Sequence, residues 1–177
     1  NRLLLDRFDI RFYIGSYPGS RSGVKDGIPV TVLGWGRNYW ISRLTYSILA
    51  TIHSCFSSAS LKVIAFSAYS PVLGFLVSSR RFILEFHHIL GREAQRKYGV
   101  SGWIPALFER LALSRGKFFI TSADSVAGTI SNTGKQAVAV HNGFDGDLLH
   151  DGTEDGRYIL TFGRVDIYMK GLDILLD

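Results

Sequence analysis

Apolar residues in this chain fall into short blocks, separated by stretches in which apolar positions recur at helical rather than alternating intervals. The blocks Ile10–Ile14, Val30–Leu33, Leu61–Phe66, Phe82–His87, Phe118–Thr121 and Ala137–Val140 are rich in β-branched and aromatic residues and read as strands. A further strand is expected at Tyr158–Phe162. Several blocks are apolar nearly throughout, the pattern of strands covered on both faces of a parallel sheet. Between them, Tyr39–Phe56 sets Trp40, Leu44, Ile48 and Ile52 at helical spacing. This stripe is expected to pack on the sheet, a membrane surface being the alternative. Ser70-Pro71 opens a second helix that runs to Val77, with proline in its first turn. Ile104–Leu113 and Ser122–Ile130 supply a third and a fourth.

Alternating strands and helices predict an α/β fold, a parallel sheet with flanking helices joined by right-handed crossovers. Gly15–Gly27 is rich in Gly, Ser and Pro and reads as a loop, as does Thr133-Gly134. The acidic, glycine-containing stretch Asp145–Gly156 reads as a linker, dividing the chain into domains 1–150 and 151–177. The chain starts inside one helical pattern and ends at Ile174–Asp177 inside another, so both ends are expected to be cut. There is no internal repeat, no low-complexity tract and no visible signal peptide.

Composition changes this picture in three places. The 177 residues suffice for one good core plus part of another, and 46% hydrophobic with 20% charged residues argues against disorder. A single cysteine, Cys55, excludes an internal disulfide framework and a cysteine-based zinc cluster. A reducing, cytoplasmic setting is the simpler expectation. The net charge of +5 is unevenly spread: residues 1–115 hold 15 Lys/Arg against 6 Asp/Glu, and residues 116–177 hold 5 against 9. A basic half attracts phosphate, nucleic acid or an anionic membrane. No clustered Lys/Arg run or nucleic-acid reading module is present, which weakens the nucleic-acid option. No uninterrupted apolar run reaches the roughly 18–20 residues that span a bilayer.

Ligands of open parallel sheets bind beyond the carboxyl ends of the strands. That rule selects Ser67–Pro71 with Tyr69, then His87-His88, Ser122, and His141-Asn142-Gly143. It also selects Gly163-Arg164, followed by Lys170-Gly171 at the next helix start. Arg offers a planar fork of donors to phosphate and Lys a mobile point charge. A helix N-terminus beside them adds backbone donors and a favourable dipole. The other histidines, His53, His141 and His150, are expected to be structural or exposed. A metal site from adjacent His87 and His88 is disfavoured, because neighbouring strand residues point to opposite faces.

Tyr158-Ile-Leu-Thr-Phe-Gly-Arg164 followed by Lys170-Gly-Leu-Asp-Ile-Leu-Leu176 resembles the start of the donor domain in glycosyltransferase family 4. That family has two facing Rossmann-like domains, the GT-B fold. Upstream, Val140-His-Asn-Gly-Phe-Asp145 is similar to its interdomain motif, and Phe82-Ile-Leu-Glu-Phe-His87 to the strand ending in a histidine near the donor sugar. Phe108-Glu-Arg-Leu-Ala and Phe118–Asp124 look like its helix, strand and Ser-containing turn. The resemblance spans roughly residue 60 to the end, in the family's order.

It implies a retaining transfer of a sugar from a nucleotide diphosphate to a glycan or lipid-linked acceptor. Arg164 and Lys170 would neutralise the leaving diphosphate, an electrostatic role. His87 would orient the donor sugar, with Gly163, Gly171 and Asn142 also on the donor side. Glu109, Ser122 and Tyr69 are acceptor-side or structural: Glu109 is open between surface residue and ligand, Ser122 between substrate contact and helix cap. No cofactor and no metal is implied. The expected setting is cytoplasmic, and the charge asymmetry alone, not the resemblance, adds peripheral contact with the inner face of an anionic membrane as a hypothesis. The family's first strand, its glycine-rich loop and its C-terminal acidic pair are absent, so this piece alone is expected to be inactive. A nucleotide-sugar epimerase of the same architecture and a non-catalytic scaffold are the alternatives.

Overall fold

The computed structural model describes residues 7–141 apart from 37, 79–80, 92–94 and 97–98. They belong to the first of two units into which the chain divides, Asn1–His141. In order they form β1 (Phe12–Gly15), β2 (Gly23–Lys25), β3 (Ile28–Leu33) and α1 (Tyr39–Phe56). These are followed by β4 (Lys62–Ala65), β5 (Phe82–Phe86), α2 (Trp103–Arg115), β6 (Phe118–Thr121), α3 (Asp124–Ser131) and β7 (Gln136–Ala139). The expected strand at Tyr158–Phe162, the helix after Lys170 and the boundary at residue 150 lie outside the described residues.

Strands β4-β5-β6-β7 form an all-parallel sheet in sequence order. Every step moves the same way across the sheet, so right-handed crossovers carry α2 and α3 to one common face. Register aligns Ile64, Leu84, Phe119 and Ala137 in a single row on that face. Around this row, Phe82 and Phe86 meet Ala50 of α1, Phe75, Ala112 of α2 and Ile130 of α3. The Phe86 ring stacks on Phe66 at 4.6 Å and meets the Phe119 ring edgewise at 5.7 Å. Each fully buried aromatic or aliphatic side chain here is worth about 1.5–3 kcal/mol of transfer free energy. The fold is a Rossmann-like α/β arrangement, as the block pattern predicts.

Helix α1 keeps its expected bounds but turns the other way. Trp40, Leu44, Ile48 and Ile52 are about half or more exposed, with Ile41 and Phe56 beside them. The inward face is instead small and polar. Ser42 Oγ donates to the Ser16 carbonyl, Ser47 Oγ donates to the Pro71 carbonyl, and Leu73 N–H donates to Thr51 Oγ1 at 2.9 Å. Tyr46 Oη donates to the Tyr13 carbonyl at 3.4 Å, and burial raises the Tyr46 phenol above its ordinary range. The reason for the inversion is what α1 packs against: irregular backbone and strand ends whose carbonyls and N–H groups need partners. Gly34 permits the close approach. Its φ of 85° is left-handed, and a Cβ there would sit 2.8 Å from Thr45 Oγ1 and from the Tyr46 amide nitrogen. Asn38 starts the helix, its Oδ1 accepting from Trp40 N–H at 2.8 Å.

Four further expectations are corrected. The first three strands form a separate sheet in the order β1-β3-β2, with β1 parallel and β2 antiparallel to β3. The expected loop Gly15–Gly27 therefore contains strand β2, turned by Asp26 and Gly27 with φ of 53° and 82°. Asp-Gly is a hairpin-turn pair, so the signal was in the sequence. The helix expected over 70–77 is irregular apart from a 3-10 turn at Gly74–Leu76, because Leu73 N–H and the Pro71 carbonyl are bonded to α1. Finally, the parallel sheet is covered on one face only among the described residues. Val63 and Val138 on the opposite face are more than half exposed, and Phe118 is partly so.

These two faces predict opposite responses to truncation. Leu84→Ala should lower stability by about 2–5 kcal/mol, whereas Val138→Ala should shift it by no more than about 0.5 kcal/mol. Gly116→Ala should cost about 1–3 kcal/mol by overpacking, since its Cβ would meet the Phe119 ring and lie 2.7 Å from Leu84 Cδ1. Denaturant melts of the three variants check the account; equal losses at Leu84 and Val138 would refute the one-sided core.

Candidate functional site

Pairing continues one residue past the strands at their carboxyl ends. Phe66 N–H donates to the Glu85 carbonyl at 2.9 Å, and Val140 N–H donates to the Thr121 carbonyl at 2.7 Å. With Phe86 opposite Thr121 and Ala65 opposite Glu85, the register sets Ser67, His87, Ser122 and Val140 abreast along this edge. Neighbouring positions in such a row are about 4.8 Å apart. Residues far apart in sequence thus share one rim, where parallel sheets receive ligands.

His87 is the most accessible titratable side chain of this row, 54% exposed, with Nε2 3.7 Å from Glu85 Oε1. The two residues are separated by one position and so share a face of the strand. Glu85 was not singled out from sequence, yet an acid two positions before a strand-end histidine is a legible signal. A protonated imidazole there would be held by the carboxylate; a neutral one keeps a nitrogen free to accept or donate a hydrogen bond. His88 is exposed. No group of three metal-ligating side chains occurs among the described residues.

Glu109 lies at neither the surface nor an open ligand position. It is 4% exposed on α2, and its two oxygens accept from Leu90 N–H at 2.6 Å and Gly91 N–H at 2.7 Å. The carboxylate therefore fixes the turn that follows His87-His88, with Gly91 in the left-handed region at φ 48°. Charge-assisted bonds of this kind are the stronger class and compensate burial of the carboxylate. Glu109 is thus a positioning residue for the His87 turn.

The remaining candidates gather less tightly. Ser122 is half-buried and does not cap α3, whose N-cap is Ala123 without a side-chain bond. Tyr69 is half-buried in a turn closed by Ser70 N–H donating to the Ser67 carbonyl at 3.2 Å. His141 Nε2 lies 3.2 Å from Asp124 Oδ2, tying the end of β7 to the start of α3, with both side chains largely exposed. His53 is half-buried against the Tyr13 ring at 4.1 Å, a structural place as expected. Asn142, Gly163, Arg164, Lys170, Gly171 and His150 lie outside the described residues.

Fold and rim together define a Rossmann-like α/β protein with a polar carboxyl edge along which His87, His88 and His141 are accessible. Comparison of the chain with protein-family models, curated proteins and solved structures finds no match. No helix among the described residues is long and apolar enough to cross a membrane.

The Glu109 clamp makes a direct prediction. Glu109→Ala should cost about 1.5–3 kcal/mol and speed hydrogen exchange at Leu90 and Gly91 well beyond the global change. Unchanged relative protection of those two amides would show that the clamp does not hold the turn.

Proposed function

We propose that the chain is part of a retaining glycosyltransferase that moves a sugar from a nucleotide diphosphate to a glycan or lipid-linked hydroxyl. One observation carries the reading: the motif residues His87 and Ser122, which resemble glycosyltransferase family 4 in order, fall abreast on the carboxyl rim of a parallel sheet. In that reaction the anomeric carbon–oxygen bond to the diphosphate breaks. A bond to the acceptor oxygen forms on the same face, and the proton of the acceptor hydroxyl passes to the departing diphosphate.

In this reading His87 orients the donor sugar and Glu109 holds the turn that follows it. Arg164 and Lys170 meet the charge growing on the departing diphosphate, which removal of one preorganised donor weakens steeply. The test is nucleoside diphosphate release by the full-length protein from UDP-, GDP- and ADP-sugars, with and without envelope lipids and glycans as acceptors. Acceptor-dependent release should appear with one donor and fall roughly 10²–10³-fold in Arg164→Ala. Release without an acceptor accompanied by an isomerised sugar would replace the transferase with an epimerase. A folded protein releasing nothing across the panel would leave a binding scaffold.

A further inference from the structure

The opposite end of the parallel sheet carries a surface of different chemistry. The amino ends of its four strands are preceded or opened by basic residues: Lys62 on β4, Arg81 before β5, Lys117 before β6 and Lys135 before β7. Arg115 at the end of α2 adds a fifth cation. Two open cavities lie along this edge, of about 360 Å³ and 310 Å³, and Val77 lines both. Arg115, Lys117 and Lys135 line the first, and Lys62 and Arg81 the second. No Asp or Glu lines either cavity among the described residues.

Apolar side chains project among these cations. Val77 is 76% exposed and Phe56, at the end of α1 beside the second cavity, is 85% exposed. Leu61 and Leu76 are exposed at the same edge. Lys135 Nζ donates to the Ser114 carbonyl at 3.0 Å, and Lys62 Nζ sits 5.1 Å over the Phe82 ring. Both side chains keep spare donors. A double-helical nucleic acid or a free polyphosphate would use the cations and leave Phe56 and Val77 in water, and a stacked single strand would leave Val77 there. An anionic bilayer uses both: headgroup phosphates meet the Lys and Arg side chains, and the apolar tips enter the acyl boundary. We infer that the amino-terminal edge of the parallel sheet is a docking surface for an anionic lipid bilayer. The carboxyl rim then points away from the membrane contact, so this inference stands apart from the transferase reading and can fail without it.

Co-sedimentation of the full chain with vesicles of phosphatidylcholine, alone or mixed with phosphatidylglycerol, tests it. Binding should require phosphatidylglycerol and weaken with salt. It should fall roughly thirtyfold for each cation reversed in Arg115→Glu and Lys117→Glu, two charge units being changed at each. The double variant Phe56→Ser, Val77→Ser should also lose binding, with an unchanged circular-dichroism spectrum, since both side chains lie outside the core. Equal binding to both vesicle types, or binding to neither, would overturn the proposal. So would loss in the glutamate variants with full retention in the serine pair, the signature of a site for soluble polyanions.

Discussion

Strand β5 is the element on which the described structure depends. It sits between β4 and β6 with Phe82, Leu84 and Phe86 all buried on one face, and every covering element touches that face. α2 and α3 arrive there because each parallel crossover is right-handed and each moves to the next strand in order. α1 and the Pro71–Leu76 segment complete the cover through Ala50, Val72 and Phe75. Parallel pairing then delivers every strand's carboxyl end to one rim and every amino end to the other. The single direction of the sheet thus places His87 and Ser122 side by side and, at the far edge, collects the lysines.

The sequence made most of this architecture legible. Six strand blocks and three of four helices appear within a residue or two of their expected places, because their apolar periodicity coincides with real pairing and packing. The failures have physical causes. The segment from Pro71 to Val77 opens with a proline suited to a first helical turn, but Gly74 and two valines disfavour a helix and α1 takes its backbone bonding groups. The α1 stripe looked like a core face because its periodicity is correct, yet periodicity says only that a helix has two faces, not which one turns inward. The short strand β2 hid in a Gly- and Ser-rich stretch whose one informative signal was Asp26-Gly27.

The rim was legible in outline and opaque in detail. Strand ends in an α/β fold nominate their own loops, so His87, Ser122 and Tyr69 could be named without coordinates. Glu109 could not be assigned, since an acid on a helix is usually solvated and nothing local announces two backbone partners some 18 residues upstream. Glu85 was passed over for the opposite reason: it lies within an apolar block, and only the pleat shows that it faces the same way as His87.

Charge asymmetry shows how far composition alone carries. A surplus of cations in the first two thirds of the chain could have meant a solvated surface, a phosphate cradle at the rim or a polyanion groove. Register narrows these for Lys62, and for Lys117 and Lys135 from the acidic remainder of the chain, because all three fall at the starts of their strands and cannot reach the opposite rim. Strands of four or five residues separate the two edges by about 13–17 Å. A cation at one end is therefore beyond a Debye length of about 8 Å from a ligand at the other. Electrostatics at the two edges are consequently independent: a phosphate ligand of the proposed kind at the rim would have to be held by other residues, leaving the basic edge free to serve a separate partner.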